Sequence, residues 1–564
     1  MNFLRYIEEI LRYDANSPMI FNSGIFLVLF IGFISIYALI HKNRISVTLF
    51  VIAFSLLFYY KSSGWYLWIL VFTTITDFSF ALAIVQAKKL IYKRIWLFLS
   101  VGVSLGILFY FKYTNFFLGN FYTIAGNNFQ PLDIFLPIGI SFYTFQSISY
   151  VLDVYWKKIE PTKNILDYAF FLSFFPQLVA GPIVKANLFL PQLKKPITIK
   201  KEEVYAGLWM IMVGLFKKAV IADYISQYND LVFADPTHYS GFENLMAVYG
   251  YTLQIYCDFS GYSDMAIGLG KIMGFDLGVN FNFPYKALNI TDFWRRWHIS
   301  LSSWLRDYLY IPLGGNRKGR TRMYINLFIT MFLGGLWHGA SWKFVFWGAW
   351  HGLALAIHKG TKSLLDKIPN KWPTNTVSWF ITFHFVIFLW IFFRANNIEH
   401  QVYKYSEQMA DNKRTESAIE YANGVNILKV KIFQNDSLVN TVNQPLGISE
   451  NNLLIRKEIS QGTETIVVKQ VEDAFSVAVS IIKKIGTEMD LAFAWPFLKV
   501  RYVWVILLVI GFVMHSTPVK WNNKVMERYI KSSYIFKLAV FIILVQVVIQ
   551  FKSEDVQPFI YFQF

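Results

Sequence analysis

A single cysteine, Cys257, is the whole thiol inventory of this 564-residue chain. No disulfide framework and no cysteine-based zinc site can be built from it. Charge is scarce too. Asp, Glu, Lys and Arg make up 16% of the residues, where soluble domains carry about 25%. The sequence has no Gly-x-Ser-x-Gly elbow, no Walker lysine loop and no dinucleotide fingerprint in a strand–helix setting. Those absences remove the common soluble hydrolase, ATPase and dehydrogenase readings. Acid is the scarcer sign, 36 residues against 53 basic ones, for a formal charge of +17. On a soluble protein that excess would suggest nucleic acid. Here the basic residues sit in loops between apolar runs, with no separate basic arm, so no nucleic-acid partner is expected.

Ring and alkyl surface is abundant instead. Hydrophobic residues reach 55% and aromatics 19%, with a mean hydropathy of +0.39. A soluble fold of this size has no place for so much ring surface, whereas a bilayer supplies both an apolar solvent and an interface. A membrane span needs about 20 mostly apolar residues. Candidates lie near 22–40, 46–60, 64–86, 95–112, 132–153, 203–224, 245–270, 322–340, 342–359, 376–394, 498–515 and 533–551. The pattern therefore predicts an all-α, polytopic integral membrane protein with about twelve crossings. A shorter apolar stretch, 166–182, ends in Ala180-Gly181-Pro182 and reads as re-entrant, since non-helical backbone survives at membrane depth only inside protein.

Loop charges set an orientation. One set of loops is basic: Lys42 and Arg44; Lys88, Lys89, Lys93 and Arg94; Lys157, Lys158 and Lys163; Lys194, Lys195, Lys200 and Lys201. The alternate loops, Thr114 to Gln130 and Tyr224 to Asn244, have no Lys or Arg. The basic side is then cytoplasmic, and both termini are expected outside. Residues 1–18 are expected to hold an interfacial helix, with Leu4, Ile7, Ile10 and Leu11 on one face. The first apolar run is too long for a cleavable signal peptide. Residues 19–395 form the membrane core. Residues 396–469 turn polar and are read as a small extracytoplasmic insert. There Leu428, Val430 and Ile432 alternate with lysines as a strand does, and Thr463 to Lys469 is a candidate partner strand. Asn435-Asp436 and Gln461-Gly462 read as turns. Residues 470–564 carry an amphipathic segment and the last membrane helices.

Polar groups inside spans are costly and usually have a purpose. The densest run, Tyr256 to Asp264, holds Asp258, Ser260, Tyr262 and Asp264. It either lines a polar cavity or forms an inter-helix network. The run Phe293 to Tyr308 mixes Arg295 and other charges with Trp294, Trp297 and Trp304 around His298. It reads as an amphipathic interfacial helix with tryptophans at the membrane belt. The Gly314–Arg320 loop could meet donor phosphates or simply be cytoplasmic charge. His338 lies in Gly334-Gly335-Leu336-Trp337-His338-Gly339, and His351 in a second Trp-His-Gly step. Imidazole is the side chain best suited to take a proton from a hydroxyl near neutral pH. No carboxylate–histidine spacing supports a metal site.

Taken in order, these segments resemble the membrane-bound O-acyltransferase family, in its alginate O-acetylation branch. The resemblance rests on Leu136 to Gln146, Phe174 to Ile183 (with Gln177), Asp258 to Asp264, Trp294 to His298, Trp337-His338-Gly339 and the terminal Pro558 to Phe564. It implies a helical bundle with a central polar tunnel, His338 as the active-site histidine and His298 as its polar companion. Asp258, Ser260, Tyr262, Asp264, Arg295, Gln177 and His351 become candidates to bind substrate or line the tunnel. It further implies an acyl thioester donor, acetyl-CoA for an acetyl group, and no bound cofactor. The acceptor is an extracytoplasmic polysaccharide, reached directly or through a periplasmic acetyltransferase partner, with the protein in the inner membrane. The rival readings are D-alanyl transfer to teichoic acid, a polysaccharide or small-molecule transporter, and a non-catalytic scaffold.

Overall fold

The structure, a computed structural model, describes residues 12–14, 18–127, 129–179, 181–367, 369, 371–408, 413–422, 425–435, 437–446, 453–460 and 463–551. The chain divides into two compact units: Met1–Tyr228, Val248–Trp390 and Leu498–Phe564 in one, Asn229–Ala247 and Ile391–Phe497 in the other.

The larger unit is helical. Among the described residues five helical runs are long and apolar enough to cross a membrane: Arg44–Gln86, Leu90–Ile124, Lys201–Ala234, Trp372–Arg394 and Tyr534–Phe551. Leu491–Val500 and Tyr502–Ser516 meet the same test only when taken together. Other stretches read as spans fold into helices that are shorter or more polar: Gly24–Ile40, Ile140–Tyr155, Gly241–Ile272, Arg320–His338 and Trp342–Leu365. By length and composition, then, five runs, or six with that pair, meet the test among the described residues, against the about twelve crossings expected, because the other helices carry polar groups that their neighbours bury. Ile140–Tyr155 is the clearest case, with Gln146, Ser147, Ser149 and Asp153 all fully buried. The segment 166–182 is a helix, Ile165–Ser173, a break at Phe174, and a short helix, Phe175–Leu178, buried from Phe170 to Val179. The amide of Phe175, freed by that break, donates to Ser55 Oγ at 3.2 Å, as buried non-helical backbone must.

Two glycine seams bring polar residues face to face. Gly214 and Gly261 cross so closely that a Cβ on either would sit 2.4–2.6 Å from the other's carbonyl oxygen. That contact brings the π-helical turn Phe216–Ala222 onto Gly241–Ile272. Gly335 and Gly348 pack Arg320–His338 against Trp342–Leu365, with a Cβ on Gly348 only 2.9 Å from the Gly335 Cα. Small residues permit such approaches in membranes.

Among its described residues the second unit contains six strands in two sheets, β1 (Ile398–Gln408), β6 (Thr463–Glu472) and β5 (Leu453–Ser460) in one, β2 (Lys413–Ala422), β3 (Val425–Gln434) and β4 (Ser437–Pro445) in the other. It also holds the helix Ala474–Thr487, capped by Asp473. The strands expected at 428–432 and 463–469 are present, but they do not pair. β6 pairs with β1 and β5, and β3 with β2 and β4. Leu428, Val430 and Ile432 meet Ile466 and Val468 through their side chains in one core. An alternating pattern marks a strand's buried face without saying whether its partner lies beside it or across the sandwich. Asn435 is in a turn with φ of 50°. Asp436, Gln461-Gly462, most of the N-terminal segment and the terminal Pro558 to Phe564 run lie outside the described residues.

Candidate active site

His338 is the last residue of Arg320–His338, and Lys112 closes that helix end. The Lys112 ammonium donates to the carbonyls of Trp337 (2.6 Å) and His338 (3.0 Å), and the Tyr113 hydroxyl donates to that of Leu336 (3.0 Å). Carbonyls at a helix C-terminus have no partner within the helix and sit at the negative end of its dipole, so a cation suits them. Gly339 follows because a Cβ there would lie 2.2 Å from the Phe344 ring. His338 is buried and, with Lys112, Ser141, Gly139, Val179 and Trp337, lines a cavity of about 70 Å³. That is room for a few waters or a short acyl group.

Tryptophans link the three histidines. The Trp337 ring centroid lies 5.1 Å from His338 and 6.3 Å from His298. Trp347 lies 5.1 Å from His338 and 4.6 Å from His351. The His351 Nδ1 accepts a hydrogen bond from Trp294 Nε1 at 3.3 Å. That contact occupies the Nδ1 lone pair.

His298 interrupts the run in which it lies. It has a left-handed backbone, φ 43° and ψ 57°, between the short helices Ile290–Arg296 and Ile299–Leu305. The single amphipathic interfacial helix expected over 293–308 is therefore not formed. Nor are its tryptophans belt anchors. Trp294, Trp297 and Trp304 are buried, Trp304 stacks on Phe145 at 3.7 Å, and Trp297 packs on Trp390 at 5.0 Å. Ring stacking and the bond from Trp304 Nε1 to the Phe145 carbonyl (2.8 Å) draw indoles inward that composition alone assigns to an interface. His298 Nδ1 lies 3.1 Å from Asn280 Oδ1.

The carboxylates of the Tyr256–Asp264 run face lysines. Lys218 donates to Asp258 (2.5 Å) and Asp223 (2.7 Å), and Lys217 to Asp264 (2.7 Å). Asp258 is thus part of a buried ion-pair network. Asp264 and Lys217 also line a cavity of about 300 Å³ with Tyr256, Cys257 and His515. Ser260 and Tyr262 are buried, Tyr262 stacking on Phe21 at 4.6 Å. Gln177 is fully buried and donates to the Phe171 carbonyl at 2.6 Å, holding the broken segment together. Arg295 is exposed and shares a cavity of about 420 Å³ with Arg306 and Lys359.

Reasoning from sequence missed Lys112, Lys217, Lys218 and Asn280. The three lysines had a signal, a cation inside or at the end of an apolar run. Asn280 had none.

A family model, the membrane-bound O-acyltransferase family, matches residues 158–399. The chain is similar to the peptidoglycan O-acetyltransferase of Helicobacter pylori, 40% identical over 68% of this chain and 78% of that protein. It is similar to the probable alginate O-acetylase AlgI of Pseudomonas putida, 43% identical over 67% of this chain and 78% of that one. A teichoic acid D-alanyltransferase of Bacillus subtilis matches at 30% identity over 48% of this chain and 71% of its own length. With relatives this similar over most of their length, the chain belongs to the membrane-bound O-acyltransferase family and is an acyltransferase.

Proposed function

We propose that this protein carries acetyl from a cytoplasmic thioester, acetyl-CoA, to hydroxyls of an extracytoplasmic polysaccharide, with His338 as general base. The observation that carries the reading is the small cavity in which His338, Lys112 and Ser141 meet. In the transfer, the acceptor oxygen gives its proton to His338 and attacks the thioester carbonyl. The new ester C–O bond forms, the C–S bond breaks, and the departing thiolate takes the proton back from the imidazolium. A buried site keeps out bulk water, which would otherwise hydrolyse the donor. The Lys112 ammonium offers positive charge next to the carbonyl oxygen that becomes negative in the transition state. Similarity to O-acetyltransferases of alginate and of peptidoglycan supports a glycan acceptor. We place the protein in the inner membrane, with a periplasmic acetyltransferase as partner for delivery to the polymer.

The test is transfer of labelled acetyl from acetyl-CoA by purified protein, wild type against His338→Ala, with polymer ester measured in a complemented deletion strain. Loss of the general base is expected to cost about 10²–10⁴-fold in rate at normal protein level. Undiminished ester in the mutant overturns the assignment. Activity with a D-alanyl carrier thioester and none with acetyl-CoA would move the protein to the teichoic acid reading.

A further inference from the structure

Asn280 lies between the helices Gly241–Ile272 and Ile290–Arg296. It is 1% exposed, and each polar group of its side chain is used. Its Oδ1 accepts from the Ser300 amide N–H at 3.3 Å and from the Ser300 hydroxyl at 2.9 Å. Its Nδ2 donates to Ser263 Oγ at 3.0 Å. Its own carbonyl accepts from the Ile299 amide at 2.8 Å.

These bonds fix the amide's orientation. A backbone N–H can only donate, so the atom facing Ser300 is the oxygen. The same oxygen faces His298 Nδ1 at 3.1 Å. An amide oxygen can only accept, so Nδ1 carries the imidazole proton. In a neutral ring the lone pair is then on Nε2. His298 Nε2 is buried and has no hydrogen-bond partner among the described residues. An unsatisfied buried acceptor costs free energy, and persists at sites where it is used. Asn280 also holds the backbone. His298 is non-glycine in the left-handed region, a strained conformation, and the Ile299 amide that follows it is tied to the Asn280 carbonyl.

We propose that Asn280 is a positioning residue for His298, holding the imidazole in its Nδ1–H tautomer and its left-handed backbone so that Nε2 stands as a ready proton acceptor. The proposal rests on the reading of His298 as a participant in acyl transfer. Asn280 is buried, with its side chain spent on Ser263, His298 and Ser300. It acts only through the ring it orients, as the partner of a catalytic imidazole does in other acyl-transfer sites.

The test compares His298→Ala, Asn280→Ala and Asn280→Asp with wild type. Steady-state acetyl transfer from acetyl-CoA and thermal melting are measured on purified full-length protein. His298→Ala is expected to lose about 10²-fold or more. Asn280→Ala is expected to lower kcat about 10–100-fold, with KM within about twofold, because the ring stays and only its proton placement is freed. Asn280→Asp is expected to recover most of kcat. A carboxylate accepts from the same His298 and Ser300 N–H groups, and the Ser263 hydroxyl can turn to donate to it. Wild-type kcat in Asn280→Ala alongside an inactive His298→Ala overturns the positioning role alone. Wild-type activity in His298→Ala overturns the reading beneath it. Equal losses in Asn280→Ala and Asn280→Asp that follow a fall in melting temperature make Asn280 a packing residue and overturn the proposal.

Discussion

Lys218 is the residue whose loss should most damage the fold while leaving the histidines in place. Its side chain is 1% exposed, and the carboxylates it serves, Asp258 and Asp223, are 4% and 10% exposed. Lys218→Met keeps the volume of the stem and removes the charge, leaving two carboxylates facing each other in a buried setting. Breaking a buried pair by removing one partner costs about 3–5 kcal/mol, and here one cation serves two anions. Asp258→Asn is expected to cost less, because Lys218 keeps Asp223 at 2.7 Å and the amide can still accept. The triple change Lys218→Met, Asp223→Asn, Asp258→Asn is expected to recover much of the loss, since no unpaired charge remains. The chain supplies its own reporter. Cys257 is the only cysteine and is 2% exposed, one residue from Asp258. Being so little exposed, it reacts slowly with a fluorogenic maleimide in the folded protein and faster when this helix seam opens, so the rise in labelling on heating gives a melting midpoint. The control is Lys217→Met, whose pair with Asp264 is more open, at 16% and 25% exposure; partly solvated pairs contribute less. If Lys218→Met melts no lower than Lys217→Met, the ion-pair network does not hold this seam together and the argument fails.

Other outcomes follow from the same contacts. Lys112→Met removes the positive charge proposed to face the transition-state oxyanion; loss of one such donor costs about 10²–10³-fold in kcat, and an unchanged rate would remove Lys112 from the site. In β1, Glu407 is held below the usual carboxylate range by Lys413, at 2.5 Å, and then by the Tyr405 hydroxyl, at 2.6 Å. Its contribution is therefore present above the ordinary glutamate range and lost as pH falls through the lowered value. Glu407→Gln should flatten the acid-side rise in hydrogen exchange of the β1 and β2 strands by about 0.2–1 kcal/mol, and identical profiles would refute it. Tags at Lys89 and Lys371 should be cytoplasmic and tags at Asn120 and Asp235 external; labelling of Lys89 in intact cells by an impermeant reagent would reverse the orientation. Replacing 396–469 by a Gly/Ser linker should reduce polymer acetylation in cells while purified protein still transfers acetyl. Wild-type polymer ester would make the insert a tolerated surface addition, and loss of both activities would place it in the core machinery.

The sequence by itself determined the membrane class, the helical architecture, the strands at 428–432 and 463–469, and the histidine that sits in the small cavity. Each of these is written locally. Apolar run length reports a membrane helix, alternation reports a strand face, and a histidine between glycines in an apolar run is conspicuous because imidazole is costly there. Only the tertiary structure decided partners. Asp258 and Asp264 were visible as expensive carboxylates, but Lys217 and Lys218 lie 40 or more residues away and reach them only because Gly214 and Gly261 let two helices touch. The 293–308 run looked like one interfacial helix because periodicity cannot register the left-handed turn at His298 or the stacking that buries its tryptophans. β3 and β6 share a core without pairing, since the same alternation serves both arrangements. Asn280, in an unremarkable loop, acquires its role from bonds to Ser263, His298 and Ser300. Patterns along the chain fix what each segment must bury, whereas the geometry between segments fixes which buried polar groups meet, and in this protein that geometry orients the site.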